Sequence, residues 1–238
     1  MSDGGWDGRV VPGGASLVRV LDDAEIRKAS VGPMDNDAYL VTCRRSGAQL
    51  LVDAPTDPDR LLALVREGSP SARLDVVVVT HQHGDHLGAV ASVIAVTGAR
   101  LAAGAPDADA VSRLGGHPVD TRLQHGDRLA VGHLVLDVVA LRGHTPGSVA
   151  LALTEPDDAS APGAVPGRVH LFTGDSLFPG GVGSTQGDPQ RFAQLLGDVT
   201  SRVFERYRDD TWVYPGHGDD TSLGEQRPSL PAWAARGW

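Results

Sequence analysis

The sequence predicts an α/β fold (α+β in class) of four layers, two β-sheets face to face with helices covering both outer faces. Three observations carry this expectation. Short β-branched runs come in succession. Amphipathic helical segments follow strands in each half of the chain. Thirty glycines and sixteen prolines favour turns and loops over long helices. Elements with one apolar face bury it by stacking in layers, and 238 residues suffice for one such domain.

In chain order, residues 16–21, 25–31, 38–42 and 49–53 read as strands, divided by turn pairs such as Gly32-Pro33 and Ser46-Gly47. Residues 57–66 read as a helix with Asp57 as N-cap, Pro58 at its first position and Leu61, Leu62, Leu64 and Val65 behind. The run 74–80, LDVVVVT, predicts a strand buried on both faces. A helix over 87–97, a strand over 100–103 and a helix over 106–114 follow. Residues 128–131 and 133–141 pair as a hairpin about Gly132, and 149–154 and 168–172 are further strands. Between those two lies EPDDASAPGAVPG, an exposed loop by composition. A helix over 190–207 and a strand over 211–214 complete a single domain, 1–238. Its first fifteen residues are expected to fray and residues 224–238 to form a short C-terminal tail.

Bulk properties exclude several function classes. Hydrophobic residues make up 41% of the chain and charged residues 21%, ordinary for a soluble domain. The net charge of −9 and the lack of a Lys/Arg block speak against a nucleic-acid partner. Cys43 is the only cysteine, which fits a reducing compartment and excludes an intrachain disulfide. The opening MSDGGWDGRVVPGGASL has no basic segment followed by an apolar one, and no apolar run reaches about 18 residues. A soluble cytoplasmic protein that binds no membrane is the expectation. Trp233 and Trp238 in the tail predict either a strap over the domain or contact with a second copy, a homodimer.

The chemistry lies after the strand 74–80, in Thr80-His81-Gln82-His83-Gly84-Asp85-His86. A strand that ends in a tight loop can aim several side chains at one point. Imidazole and carboxylate are ligands for zinc and its neighbours. Composition alone would produce His-x-His-x-Asp-His on the order of 10⁻³ times in a chain like this, so a merely solvated polar loop is the weaker reading. Three more strand-end motifs accompany it. His144 stands in Gly-His-Thr-Pro-Gly-Ser, Asp175 in Thr-Gly-Asp-Ser, and His217 in Tyr-Pro-Gly-His-Gly. Glycine beside each lets the backbone turn sharply there.

The ordered set HxHxDH, GHTPGS, TGD and PGHG resembles the metallo-β-lactamase-fold hydrolase superfamily, nearest its glyoxalase II-like (hydroxyacylglutathione hydrolase-like) branch, from about Ala38 to Leu223. The resemblance implies an αββα sandwich with metals at one edge between the sheets. It implies that His81, His83 and His144 hold a first ion, that Asp85, His86 and His217 hold a second, and that Asp175 bridges both. Two zinc ions per chain are expected, with iron or manganese able to substitute because no thiolate selects for zinc. Ions about 3.5–4 Å apart can share a hydroxide whose pKa falls toward about 7, so no side-chain nucleophile is required. Asp85 takes a second, catalytic role, orienting that hydroxide. His117, His125, His133 and His170 match no motif and read as surface or strand histidines.

Departures from the family narrow the substrate. No signal peptide is seen, and Asp175 stands where the best-known β-lactamases have cysteine, which disfavours antibiotic hydrolysis. About twenty residues follow His217, too few for the helical domain that holds glutathione in glyoxalase II. The Gly-Arg usual after the bridging aspartate is absent from Leu177-Phe178-Pro179-Gly180-Gly181-Val182-Gly183-Ser184-Thr185. The leading expectation is hydrolysis of a small ester, thioester or lactone as small-molecule substrate. A persulfide dioxygenase-like enzyme with one iron is the alternative, and a non-catalytic metal-binding scaffold a third, against which the complete ligand set speaks.

Overall fold

Four consecutive valines divide their side chains between two cores. Val76 and Val78 join an apolar cluster between two sheets, whereas Val77 and Val79 join another beneath helices. That is the two-residue period of a strand covered on both faces. The computed structural model from which this is read describes residues 6–69 and 71–237.

The first sheet holds β1 (Leu17–Val20), β2 (Ala24–Val31), β3 (Asn36–Cys43), β4 (Gln49–Val52), β5 (Val76–Val79), β6 (Arg100–Gly104) and β7 (Thr121–Leu123), side by side in chain order. β1 to β4 pair antiparallel and β4 to β7 parallel. The parallel crossovers carry α1 (Pro58–Gly68), α2 (Val90–Thr97) and α3 (Ala108–Gly115). The second sheet takes β8 (Arg128–Val131), β9 (Leu134–Ala140), β10 (Val149–Thr154) and β11 (Val169–Gly174). A small hairpin, β12 (Leu177–Phe178) with β13 (Gly181–Val182), and α4 (Pro189–Val199) intervene before β14 (Trp212–Pro215) pairs parallel to β11. β15 (Thr221–Ser222) forms the edge, and α5 (Leu223–Gln226) and α6 (Leu230–Arg236) end the described chain.

Ile26, Leu50, Val78, Leu136, Leu151 and Phe172 fill the space between the sheets. Leu61, Leu64 and Val93 cover the outer face of the first sheet, and Leu195, Val199 and Trp233 that of the second. The layers are therefore αββα, as expected. Burial of apolar area at about 25 cal/mol per Å² drives this arrangement and leaves the strand ends free at one edge to carry polar loops.

Several expectations change. Trp6 is only 4% exposed and its Nε1 donates to Asp220 at 2.8 Å, so at this residue the structure departs from the expected fraying of the first fifteen residues; the first five lie outside the described residues. The expected tail 224–238 is helical over α6, and Trp233 is buried edge-on against Phe204 at 6.2 Å, which is the strap arrangement. Trp238 lies outside the described residues. The helix over 190–207 stays α-helical only to Val199, after which Glu205 N–H donates to Thr200 O at 2.9 Å, an i→i+5 turn. β7, β12, β13 and β15 have two or three residues each, too few for an alternation to register. Among the described residues no helix is long and apolar enough to cross a membrane.

Candidate metal centre

β4 and β5 end side by side, and their first loop residues organise the centre. Asp53 follows β4 with φ 59°, a left-handed conformation that aspartate tolerates better than most residues. Its Oδ1 accepts from Thr80 N–H at 2.7 Å and its Oδ2 from Thr80 Oγ1–H at 2.8 Å. The chain then closes a tight turn over Gly84–His86. That turn swings His86 back under Asp53, and its Nδ1–H donates to Asp53 Oδ2 at 2.9 Å.

The remaining donors arrive on loops after β9, β11 and β14. The β9 loop is tied to the His81 loop through Asp107, fully buried, which accepts from Gln82 N–H (3.0 Å), Thr145 Oγ1–H (2.5 Å) and Gly147 N–H (2.7 Å). Asp175 follows β11, where parallel pairing with β14 brings it beside His217. Gly216 is required at this crossing, because a Cβ there would lie 2.1 Å from Asp175 Oδ1 and 2.8 Å from His86 Cε1.

Four of the five imidazoles are turned by a partner on the far nitrogen. Nδ1–H of His144 donates to Ser184 O (2.7 Å), that of His217 to Met34 O (2.9 Å), and that of His81 to Thr80 Oγ1 (3.1 Å). With His86 on Asp53, four rings thus aim Nε2 at the centre, while His83 aims Nδ1. Such partners fix both ring orientation and tautomer in metal sites.

The structure brings all seven residues singled out in the sequence to one place. His81, His83 and His144 form one group of donors within 4.8 Å of one another; Asp85, His86 and His217 form another, and His81, His86 and Asp175 a third. His83 Nδ1 and His144 Nε2 stand 2.9 Å apart, His86 Nε2 and His217 Nε2 3.1 Å. Asp175 Oδ2 lies 3.6 Å from His144 Nε2 and 3.5 Å from His217 Nε2, so one oxygen faces a member of each outer group. His81 Nε2 and Asp175 Oδ1 are buried with no hydrogen-bond partner. Imidazole nitrogens and carboxylate oxygens converging in this way fit divalent cations.

The electrostatics agree. Burial, reinforced by the neighbouring His86, holds His81 well below the usual histidine range. Burial acts on His86 in the same sense, but the Asp53 and Asp175 carboxylates outweigh it and push His86 up to about 10. Burial would raise the Asp175 carboxyl, yet the His217 and His86 imidazoles hold it far below the carboxylate range. Packed imidazoles cannot all carry protons, so a cation competes well for the same lone pairs.

Three residues at the centre escaped the sequence reading: Asp53, Asp107 and Asn36. Asn36 Nδ2–H donates to Asp85 O at 3.0 Å and to Asp85 Oδ2 at 3.1 Å. Asp53 offered one signal, a carboxylate at the very end of a strand; Asn36 and Asp107 offered none. Of the unmatched histidines, His170 is a buried strand residue between Glu155 (2.9 Å) and Tyr214 (2.8 Å), and His117 bonds its neighbour Pro118.

The family model described as "Metallo-beta-lactamase superfamily" matches residues 31–217, most of the chain and every donor named above. The chain belongs to this superfamily. Within it the chain is 38% identical over 149 residues to a protein of Fuscovulum blasticum named hydroxyacylglutathione hydrolase, covering 63% of this chain and 51% of that one. It thus spans about half the length of that relative. Among solved metallo-beta-lactamase folds it resembles ETHE1 from Myxococcus xanthus (TM-score 0.71, 28% identity, 88% of this chain and 84% of that one). It also resembles TTHA1623, solved in a di-iron-bound form (TM-score 0.65, 30% identity, 86% and 98% covered).

Proposed function

We propose that this metallo-beta-lactamase domain is a two-metal hydrolase of a small ester, thioester or lactone, with zinc as the expected ion. The observation that carries this reading is Asp175 Oδ2, at near-equal distance from His144 and His217. A carboxylate set between two donor groups is what a pair of cations at short spacing needs. His81, His83 and His144 would hold the first ion, Asp85, His86 and His217 the second, and Asp175 both. When bound, such ions supply a water acidified toward neutral pH and a Lewis acid for a carbonyl oxygen.

The chain's own residues supply the positioning. Asp85 has a 30% exposed side chain, and its Oδ2, fixed by Asn36, is open to accept a proton from an attacking water. The ring partners Asp53, Ser184, Met34 and Thr80 keep the imidazoles aimed. The name of the Fuscovulum blasticum relative makes a hydroxyacyl thioester the first substrate to try. Leu177-Phe178-Pro179 after Asp175-Ser176, in place of the Gly-Arg usual there, favours a thioester lacking the glutathione tripeptide.

One observation favours a second reading, a dioxygenase-like enzyme with a single iron. His81, His86 and Asp175 form a two-histidine, one-carboxylate group, the donor set of non-haem iron oxygenases. Metal analysis of the purified protein, with turnover measured on thioesters, lactones and phosphoesters, separates the two. Close to two ions per chain with turnover of an acyl substrate is expected. One tightly held iron and no hydrolysis would favour the dioxygenase.

A further inference from the structure

The loop that carries His217 is held from behind by a buried charge cluster, and the amino-terminal segment closes that cluster. Asp37 N–H donates to Gly216 O at 2.8 Å and Tyr39 O–H to Pro215 O at 2.7 Å, pinning one side of the loop. On the other side Lys28 Nζ donates to Gly218 O at 2.6 Å. The same ammonium stands 2.7 Å from Asp220 Oδ1, 3.0 Å from Asp37 Oδ2 and 2.8 Å from Gly8 O. Side chains of Lys28, Asp37 and Asp220 are fully buried. Three ammonium protons are shared among four oxygens, and one of the four belongs to the amino-terminal segment.

Asp220 completes the link. Its Oδ2 accepts from two indoles, Trp6 Nε1–H and Trp212 Nε1–H, each at 2.8 Å. The Gly8 backbone lies directly against it, since a Cβ on Gly8 would stand 2.6 Å from Asp220 Cβ. Trp6 packs edge-on to Tyr214 at 5.8 Å, next to Pro215, and the Arg19 guanidinium lies over Trp6 at 4.9 Å and over Trp212 at 4.3 Å. Asp220 sits three positions after His217 on the same loop.

We propose that residues 6–8 form a latch for the second ion's site, with Trp6, Lys28 and Asp220 as positioning residues for His217. This rests on the reading of His217 as a ligand of that ion. Asp37 Oδ1 is already buried without a hydrogen-bond partner, so the cluster of one ammonium and two carboxylates is stable only while its other oxygens keep their donors and water stays out. Without Trp6, Asp220 lacks a donor and the cluster opens to water, so Lys28 no longer fixes Gly218 O. His217 then loses the backbone that aims it between Asp85 and Asp175. The His81, His83 and His144 group hangs instead on Thr80, Asp107 and Ser184, none of which touches the cluster. The latch therefore acts on one ion and spares the other. Because coupling is reciprocal, a filled second site also holds the segment down.

Chelator competition with zinc on the full-length chain, resolving the two dissociation constants, tests this with Trp6→Phe, Asp220→Asn and His217→Ala. Trp6→Phe keeps the ring on Tyr214 and removes only the indole donor; Asp220→Asn keeps the size of the side chain. The second ion should bind about 10-fold more weakly in either variant, as for other supporting partners of a metal ligand, with the first constant unchanged. His217→Ala should lose the second ion outright. An equal loss at both sites in Trp6→Phe and Asp220→Asn would mean general loosening of the fold and overturn the latch. No change in either variant, with the second ion lost in His217→Ala, would also overturn it while leaving the metal assignment standing. Two ions retained by His217→Ala would overturn that assignment and the latch with it.

Discussion

Asp53 Oδ2 accepts from His86 Nδ1–H at 2.9 Å, with both side chains at most 2% exposed. The same carboxylate holds Thr80, whose hydroxyl in turn receives His81 Nδ1–H. A residue that would ligate no ion thus orients one imidazole of each outer donor group.

Replacing Asp53 therefore acts on both ions at once. Asp53→Asn keeps the shape but removes the charge that fixes the His86 tautomer. Metal affinity should fall about 10- to 100-fold, the range for lost supporting partners. Stoichiometry and affinity measured by metal titration check this, and wild-type affinity would show that Thr80 alone aims the rings.

Asp175→Asn removes the charge between the two groups. The second ion should bind at least about 10-fold more weakly, and turnover should fall further than affinity because both ions must keep their separation. The fold should survive, since Asp175 lies on a loop after β11. Retention of both ions with near-normal turnover would remove Asp175 as a bridge.

His170 makes stability depend on pH away from the metals. Burial lowers its pKa to about 4, the Glu155 hydrogen bond opposing and the Arg19 charge assisting. Unfolded, it titrates near about 6.5. Its contribution is therefore complete above that value and is lost as pH falls from about 6.5 to about 4, up to about 3 kcal/mol. His170→Gln should flatten urea-unfolding midpoints across that window; an unchanged slope would place the acid sensitivity elsewhere.

Trp233 fastens α6 to the second sheet's outer layer. Trp233→Ala should cost about 3–5 kcal/mol, as for large aromatics removed from a core. Deleting 231–238 should lower the melting temperature as well. Metal affinity should move little in Trp233→Ala, because the Trp233 ring packs on Phe204 in the outer layer. A melting temperature equal to that of the intact chain would show the strap to be dispensable.

The seven donor-type residues and the layer order were readable in the chain because both are local patterns. His-x-His-x-Asp-His closes within one turn, and Val76–Val79 signals two covered faces through four residues alone. Asn36, Asp107 and the Lys28 cluster were not readable, and Asp53 only as a carboxylate at the end of a strand. Their roles arise mostly from distant partners, as between Asp53 and Thr80, 27 residues apart, or Lys28 and Asp220, 192 apart. A single Asp or Lys in a strand looks the same whether it is solvated or buried against such a partner. The amino-terminal segment was misjudged for the same reason: its glycines suggest a loose end, and only the Asp220 acceptor for Trp6 makes it part of the core.

By itself the sequence determined the kinds of donor atom available, their order along the chain and the alternation that builds two sheets between helices. Tertiary structure alone decided which donors stand close enough to share a cation, which nitrogen each ring presents, and that one oxygen of Asp175 faces both groups. Local periodicity is set by backbone geometry within a few residues. Ring orientation and bridging depend on loops from β5, β9, β11 and β14 meeting at one edge, and that meeting exists only once both sheets have packed.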